Sequence, residues 1–448
     1  MSFVGPYMQI VRHAQPVGVT GKVAGVRGLT VSVADFIVPV GAACRINHSG
    51  RSVNARVIGF AADLTLIMPM GPTSGISRGD KVICTAGEQT VGMAPGMLGR
   101  VLNGFGQPID GGPPLKIDSR RPIYPQSIDP MDRKRIDEPI GTGIRAIDSM
   151  LTVGRGQRMG IFAGPGVGKS VMLGMISRYT SADVAVIALV GERGREVKDF
   201  IEKDLGPEGM KKAVVVVSTG DEPPLVRVQA GAVATAVAEY FRDSGKDVLL
   251  LMDSLTRLAM AQRQIGLVAG EPPATKGYTP SVFNLLPELL ERSGRTQVGS
   301  ITGFYTVLVE GDDMTDPIAD AVRSITDGHI WLSRALANRG QYPAIDVLES
   351  ISRIMIDIVD APHRQGAQEL QRMMAVYRDI EDLVNIGAYA AGGNPQYDLA
   401  IKVQPLIREF LRQNIEDKCT FLQAKIAVTD LARQIQKLAG PSRSSGMV

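Results

Sequence analysis

Gly164-Pro165-Gly166-Val167-Gly168-Lys169-Ser170 is the stretch of this 448-residue chain whose residue types are most closely tied to a chemistry. An apolar run (159–162) enters it, and a second apolar segment starting at Val171 (171–179) leaves it with helical character. In such a strand–loop–helix order, small residues let backbone N–H groups turn inward and cradle phosphate oxygens at a helix N-terminus. Lys169 is placed to reach the β- and γ-phosphates of a nucleotide. The Ser170 hydroxyl is placed to join a Mg²⁺ shell made otherwise of water and phosphate. The strict spacing G-x-x-x-x-G-K-[ST] asks for glycine where this chain has Ala163. A methyl group adds little bulk, so the loop is expected to be intact. The competing reading is a glycine-rich turn with no ligand.

Three further segments could complete such a site. Val248-Leu249-Leu250-Leu251-Met252-Asp253 reads as a buried strand delivering a carboxylate at its C-terminal edge, where Asp253 could hold Mg²⁺ through water. Glu192, in Val190-Gly191-Glu192-Arg193-Gly194-Arg195-Glu196, also follows a strand candidate. Cleaving a γ-phosphate needs a group that orients and polarises water, and Glu192 is the candidate, with Arg193 beside it as charge partner. An exposed ion-pair turn remains the alternative there. Arg353 ends the run 343–353 at the edge of the sheet region; from pattern alone it reads as a surface ion-pairing arginine.

These residues need elements to hold them. From about 15 to 95 the chain shows short alternating Val- and Ile-rich runs broken by Ser49-Gly50 and Arg78-Gly79-Asp80, the texture of a small β-barrel or sandwich. Residues 104–140 are rich in Pro, Gly and Asp and read as a linker. Continuous apolar strands are expected at 184–190, 213–218, 248–252, 301–309 and 329–332, separated by helices. That alternation describes an α/β domain with a mostly parallel sheet buried on both faces. Beyond 365, Leu370, Met373, Met374, Tyr377, Ile380 and Val384 recur at helical spacing, as do Val403, Leu406, Ile407 and Phe410. The divisions expected are 1–98 for the barrel, 99–364 for the nucleotide-binding domain and 365–448 for a helical domain, with the tail 440–445 disordered.

Bulk composition narrows the function classes. Lys+Arg 49 against Asp+Glu 46 leaves a formal charge of +3 with no basic tail, which argues against a nucleic-acid partner. Cys44, Cys84 and Cys419 are odd in number and lack metal spacing, as expected of buried thiols in a reducing cytoplasm. His13, His48, His329 and His363 form no zinc motif. Neither a signal pattern nor an apolar run of about 20 residues is present, so a cytoplasmic location is expected.

The motifs together resemble the type III protein-export ATPases, flagellar and virulence-secretion alike, which are related to the catalytic subunit of rotary ATP synthases. The matching stretches are Thr152-Val153-Gly154-Arg155-Gly156-Gln157-Arg158-Met159-Gly160, the phosphate loop and Gly191-Glu192-Arg193-Gly194-Arg195-Glu196-Val197-Lys198-Asp199-Phe200. Met252-Asp253-Ser254-Leu255-Thr256-Arg257, Gly270-Glu271-Pro272-Pro273-Ala274-Thr275-Lys276-Gly277-Tyr278 and Glu310-Gly311-Asp312-Asp313-Met314 continue the match. The resemblance implies an N-terminal β-barrel, a RecA-like P-loop domain, a C-terminal helical domain, and a homohexamer binding ATP and Mg²⁺ at subunit interfaces. It implies Glu192 as catalytic glutamate supported by Arg193, Lys169, Ser170 and Asp253 as phosphate and Mg²⁺ ligands, and Arg353 as an arginine finger. The loop 271–278 would face the ring's pore, with Lys276 and Tyr278 lining it. Arg364 replaces the aromatic residue expected after His363 and would stack on adenine through its guanidinium plane. The implied partners are a coiled-coil stalk, a negative regulator, chaperone–substrate complexes and a membrane export gate. The implied location is peripheral, at the inner-membrane export apparatus.

Other readings compete with an export ATPase, which the flagellar setting suits as the commoner system. A rotary ATP synthase subunit shares the nucleotide motifs. A hexameric nucleic-acid translocase would need exposed aromatics in its N-domain, and aromatics make up only 5% of this chain. A non-catalytic nucleotide-binding subunit is opposed by the presence of Lys169, Asp253 and Glu192 together.

Overall fold

A computed structural model describes residues 18–86, 89–125, 128–309 and 315–439. His13, the expected disordered tail and the motif 310–314 lie outside these residues. Six strands come first: β1 (Thr20–Arg27), β2 (Thr30–Ala34), β3 (Ala43–His48), β4 (Arg51–Ala61), β5 (Leu64–Pro69) and β6 (Lys81–Ala86). They close into an antiparallel barrel in the order β1-β2-β5-β4-β3-β6. Alternate residues point inward, and Val23, Val31, Val33, Ile46, Val57, Ile67 and Val82 fill the interior. Of the two folds that the alternation allowed, it is the barrel that forms.

Next come β7 (Thr90–Met93), β8 (Val101–Asn103) and β9 (Ser119–Pro122), with β7 and β9 forming an antiparallel ribbon. The segment read as a linker wraps the nucleotide-binding unit: Arg133 donates to the carbonyls of Glu291 and Ser293 at 2.6 and 3.2 Å. A short pair, β10 (Pro139–Ile140) and β11 (Val153–Gly154), leads into the main sheet.

That sheet is built from β12 (Arg158–Ala163), β13 (Val184–Glu192), β14 (Ala213–Thr219), β15 (Asp247–Asp253), β16 (Gly294–Arg295), β17 (Ser300–Leu308), β18 (Gly328–Leu332) and β19 (Ile345–Ser352). Its order is β19-β18-β12-β17-β15-β13-β14-β8, with β16 paired to β17. All pairs are parallel except β16–β17 and β18–β19. β13 is buried along its whole length, as a strand covered on both faces must be. One core packs on one face, around Ile161, Ile187, Leu249 and Phe304; a second packs on the other, around Phe162, Val186, Leu250 and Tyr305. β19, which the sequence did not mark as a strand, is an antiparallel edge whose inward and outward residues alternate.

The C-terminal part is helical: Ala361–Asn385, Pro395–Leu411 and Phe421–Ala439. Leu370, Met373, Ile380, Val403, Ile407 and Phe410 are buried, so the methionine-containing stripe is core. Among the described residues no helix is long and apolar enough to cross a membrane.

Candidate nucleotide site

β12 ends at Ala163, and the chain then turns through Gly164, Pro165, Gly166, Val167 and Gly168 into the helix Lys169–Tyr179. Ala163 is therefore a strand residue, not a loop residue. Its methyl is wholly buried in the core, and its carbonyl accepts from Val309 N at 3.0 Å, which explains why alanine is tolerated there. Gly168 caps the helix with φ +85, a left-handed conformation that strains any residue carrying a Cβ. Ser170 is exposed in the first turn, where the helix N–H groups have no intrahelical partner. Among the described residues no cluster of three His, Cys, Asp or Glu could hold a metal. A Mg²⁺ ion would instead be shared between Ser170, Asp253 and a bound nucleotide, and a hydroxyl, a carboxylate and phosphate oxygens are the hard oxygen donors it prefers.

Asp253 closes β15, two strands away from β12, with β17 between them. Its Oδ1 is ion-paired with Lys169 Nζ and also accepts from Thr306 Oγ1 at 2.7 Å. Glu192 closes β13, next to β15 in the sheet, and is nearly buried. Parallel strands thus bring the loop, Asp253 and Glu192 to one edge, the carboxyl edge where open α/β sheets bind ligands. Burial and the neighbouring charge of Asp253 push the Glu192 carboxyl up to about 7, against the opposing pull of Lys169 and Arg257.

The cation beside Glu192 is not Arg193. Arg193 is the N-cap of the short helix Gly194–Asp199; its side chain points to solvent and meets Glu196 at 3.6 Å. Arg257 takes that place, its Nε donating to Glu192 Oε1 at 3.1 Å. Adjacency along a strand end puts consecutive side chains on opposite sides, whereas Arg257 arrives one helical turn after Asp253. Gly191 makes room for it: φ there is +75, and a Cβ would stand 2.9 Å from Arg257 Cβ. Arg257 belongs to the quoted run Met252–Arg257 only by sequence position, and its partner was legible only in three dimensions.

An open cleft of about 690 Å³ adjoins the phosphate loop, lined by Gly166, Gly168, Val171, Met172, Met175, Tyr342, Pro343 and Gln413. That volume suits a small-molecule ligand. Arg364 is not part of its wall. Arg364 lies on the first turn of helix Ala361–Asn385, beside His363, whose ring is buried and bonded to Ser149 O at 2.9 Å. The aromatic side chain in the cleft is Tyr342, which sequence reasoning missed because it lies between β18 and β19, far along the chain from the loop. Gln413 N donates to Tyr342 O at 3.0 Å, so the C-terminal part holds this wall in place.

Arg353 lies at the other end of the sheet. Its N–H donates to Asp327 O at 3.0 Å, and Asp327 N donates to the carbonyl of Arg158, the first residue of β12. A full strand at roughly 3.3 Å per residue separates it from its own phosphate loop. Tyr278 also departs from expectation: it is 5% exposed, edge-on to Phe283 and capped by Arg263, so it does not line a channel.

Comparison with known proteins places this geometry. Residues 143–352 match the ATP synthase alpha/beta family nucleotide-binding domain, residues 23–86 the beta-barrel domain of the same family, and residues 359–428 the T3SS EscN ATPase C-terminal domain. The chain is 50% identical over 424 residues to the flagellum-specific ATP synthase of Pseudomonas aeruginosa, covering 93% of this chain and 94% of that protein. It is 48% identical over 415 residues to the type 3 secretion system ATPase of Xanthomonas euvesicatoria, covering 92% and 94%. The solved structure of the assembled ATPase EscN from enteropathogenic E. coli is similar at 42% identity and a TM-score of 0.87, covering 92% of this chain and all of that one. EscN has also been solved in complex with its central stalk EscO, and that structure matches with a TM-score of 0.85 at 41% identity over 92% of this chain and 100% of that one. The C-terminal match separates the export branch from the rotary synthases, and the chain belongs to the flagellum-specific and type III secretion ATPases of the ATP synthase alpha/beta family.

Proposed function

We propose that this chain powers a type III protein-export apparatus, flagellar in its setting, by hydrolysing ATP with Mg²⁺ in a homohexameric ring. The observation that carries the reading is the convergence of Lys169, Asp253 and the buried carboxyl of Glu192 at one sheet edge beside an open cleft. The loop 164–168 would hold the β- and γ-phosphates on backbone N–H groups, while Lys169 exchanges Asp253 for phosphate oxygen. Mg²⁺, held by Ser170 and water on Asp253, would neutralise charge on the phosphates. Glu192 would accept a proton from the attacking water, with Arg257 keeping the carboxylate turned into the site. Tyr342 offers a ring face to the base. Arg353, too far from its own loop, would serve the site of a neighbouring copy. A stalk protein in the ring's centre, a negative regulator, chaperone–substrate complexes and a membrane export gate are the partners proposed, at the inner-membrane face.

Three outcomes are expected. In cells lacking their own export ATPase, this chain should restore secretion of filament protein, and the purified chain's specific ATPase rate should climb with concentration as subunits associate. Secretion of virulence substrates in place of filament protein would move the assignment to the other branch. Tyr342→Ala should raise KM for ATP several-fold with little change in kcat, because stacking is uniform binding; steady-state kinetics would show it. An unchanged KM would remove Tyr342 from the site.

A further inference from the structure

Cys44 and Cys84 are scattered in sequence, yet β3 and β6 pair antiparallel with these two residues directly opposite each other. The N–H of Cys84 donates to Val19 O, towards β1, at 2.9 Å. A residue whose backbone groups face β1 makes no ladder bonds to β3. The pair is therefore of the non-hydrogen-bonded class, in which opposed Cα atoms of a regular ladder approach to about 4.5 Å, and it borders a register shift between Ala43 and Cys44. That lies inside the roughly 4.4–6.8 Å that a disulfide spans. Opposed residues share a face of the sheet, and here it is the barrel interior. Cys44 is 1% exposed among Val23, Ile46 and Val82, and Cys84 packs against the same core from its half-buried position. Burial, with Cys84 as second cause, pushes the Cys44 thiol up to about 12.

The location gives the pair consequence. β6 is the last barrel strand before the chain enters the nucleotide-binding unit. A groove of about 300 Å³ between the two units is bordered by Cys44, Arg45, Gln89, Phe105 and Gln229, whereas Cys84 does not border it and meets solvent through its own half-buried side.

We propose that Cys44 and Cys84 are a site of reversible oxidation, closing a disulfide across β3 and β6 with a small disulfide such as oxidised glutathione as oxidant. Cys84, the less buried thiol, loses its proton to water and attacks one sulfur of oxidised glutathione, and one glutathione thiolate leaves. Cys44 then loses its proton and attacks the Cys84 sulfur, expelling the second. Two protein thiols and one glutathione disulfide become one protein disulfide and two glutathione thiols. The bond ties the exit strand of the barrel to its neighbour and restricts the unfolded chain.

The full-length protein should be incubated in rising ratios of oxidised to reduced glutathione, quenched in acid, alkylated and peptide-mapped. The expected product is a Cys44–Cys84 linked peptide lacking two hydrogens, with Cys419 alkylated, so that free thiols fall from the three present now to that single one. The melting midpoint should rise by several degrees and return on reduction. Cys84→Ser, or Cys84→Ala if the serine variant folds poorly, should show neither linked peptide nor shift. Full alkylation of both cysteines after oxidised glutathione alone would overturn the proposal. So would a glutathione adduct that stays on Cys84, because two small apolar side chains packed in a barrel need no chemistry.

Discussion

Glu192→Gln is expected to bind nucleotide normally and to lose ATP turnover by roughly 10²–10⁴-fold, the usual contribution of a positioned general base. Glutamine is isosteric and leaves the phosphate loop, Lys169 and Asp253 untouched, so the loss should fall on kcat and not on nucleotide affinity. The pH dependence sharpens the test. The base works only when deprotonated, and burial pushes its carboxyl up to about 7 from an ordinary 4.5. Wild-type turnover should therefore fall as pH drops below about 7, whereas the residual rate of Glu192→Gln should show no such inflection. Stability should move in the opposite sense. A carboxyl raised on folding binds protons more readily in the folded chain between about 4.5 and 7, so its contribution weakens as pH rises through that window. Glu192→Gln should melt above wild type at pH 8, with the gap closing towards pH 5. Equal turnover in the two proteins would end the assignment of Glu192 as base.

The second large effect is expected across a subunit boundary. Arg353→Ala should reduce ATPase activity by roughly 10³-fold or more, the scale of an arginine acting on transferring phosphate, while leaving the fold intact. Its side chain is exposed at the end of β19, and among the described residues its backbone N–H is tied to Asp327. Lys169→Ala should be equally inactive because its own site cannot hold phosphate. Mixing the two variants should restore part of the activity, since some interfaces then pair an intact Lys169 with an intact Arg353. The measurement is ATPase rate against mixing ratio, with mixed assemblies verified by differential tagging. No recovery at any ratio would return Arg353 to the surface ion-pairing role that its local pattern suggested.

Contiguous signals were legible in the sequence because their physics is local. The phosphate loop is a run of neighbours whose spacing alone builds a cradle. The strands at Val184–Glu192 and Asp247–Asp253 declare burial on both faces by unbroken apolar character and deliver their terminal carboxylates by simple chain order. The short N-terminal strands and the C-terminal helices follow from periods of two and near four residues, whereas closure of those strands into a barrel was settled by their pairing order. What only the tertiary structure decided is which distant residues meet. Arg257 replaced Arg193 beside Glu192 because strand alternation turns Arg193 away while a glycine at 191 admits the helix after β15. Tyr342 took the cleft position expected of Arg364 because the turn before the antiparallel edge strand β19 carries it back to the phosphate loop. Tyr278 turned inward onto Arg263 and Phe283. Cys44 and Cys84 became partners through barrel register alone. Each outcome depends on strand order and loop closure, long-range properties on which spacing along the chain carries no information.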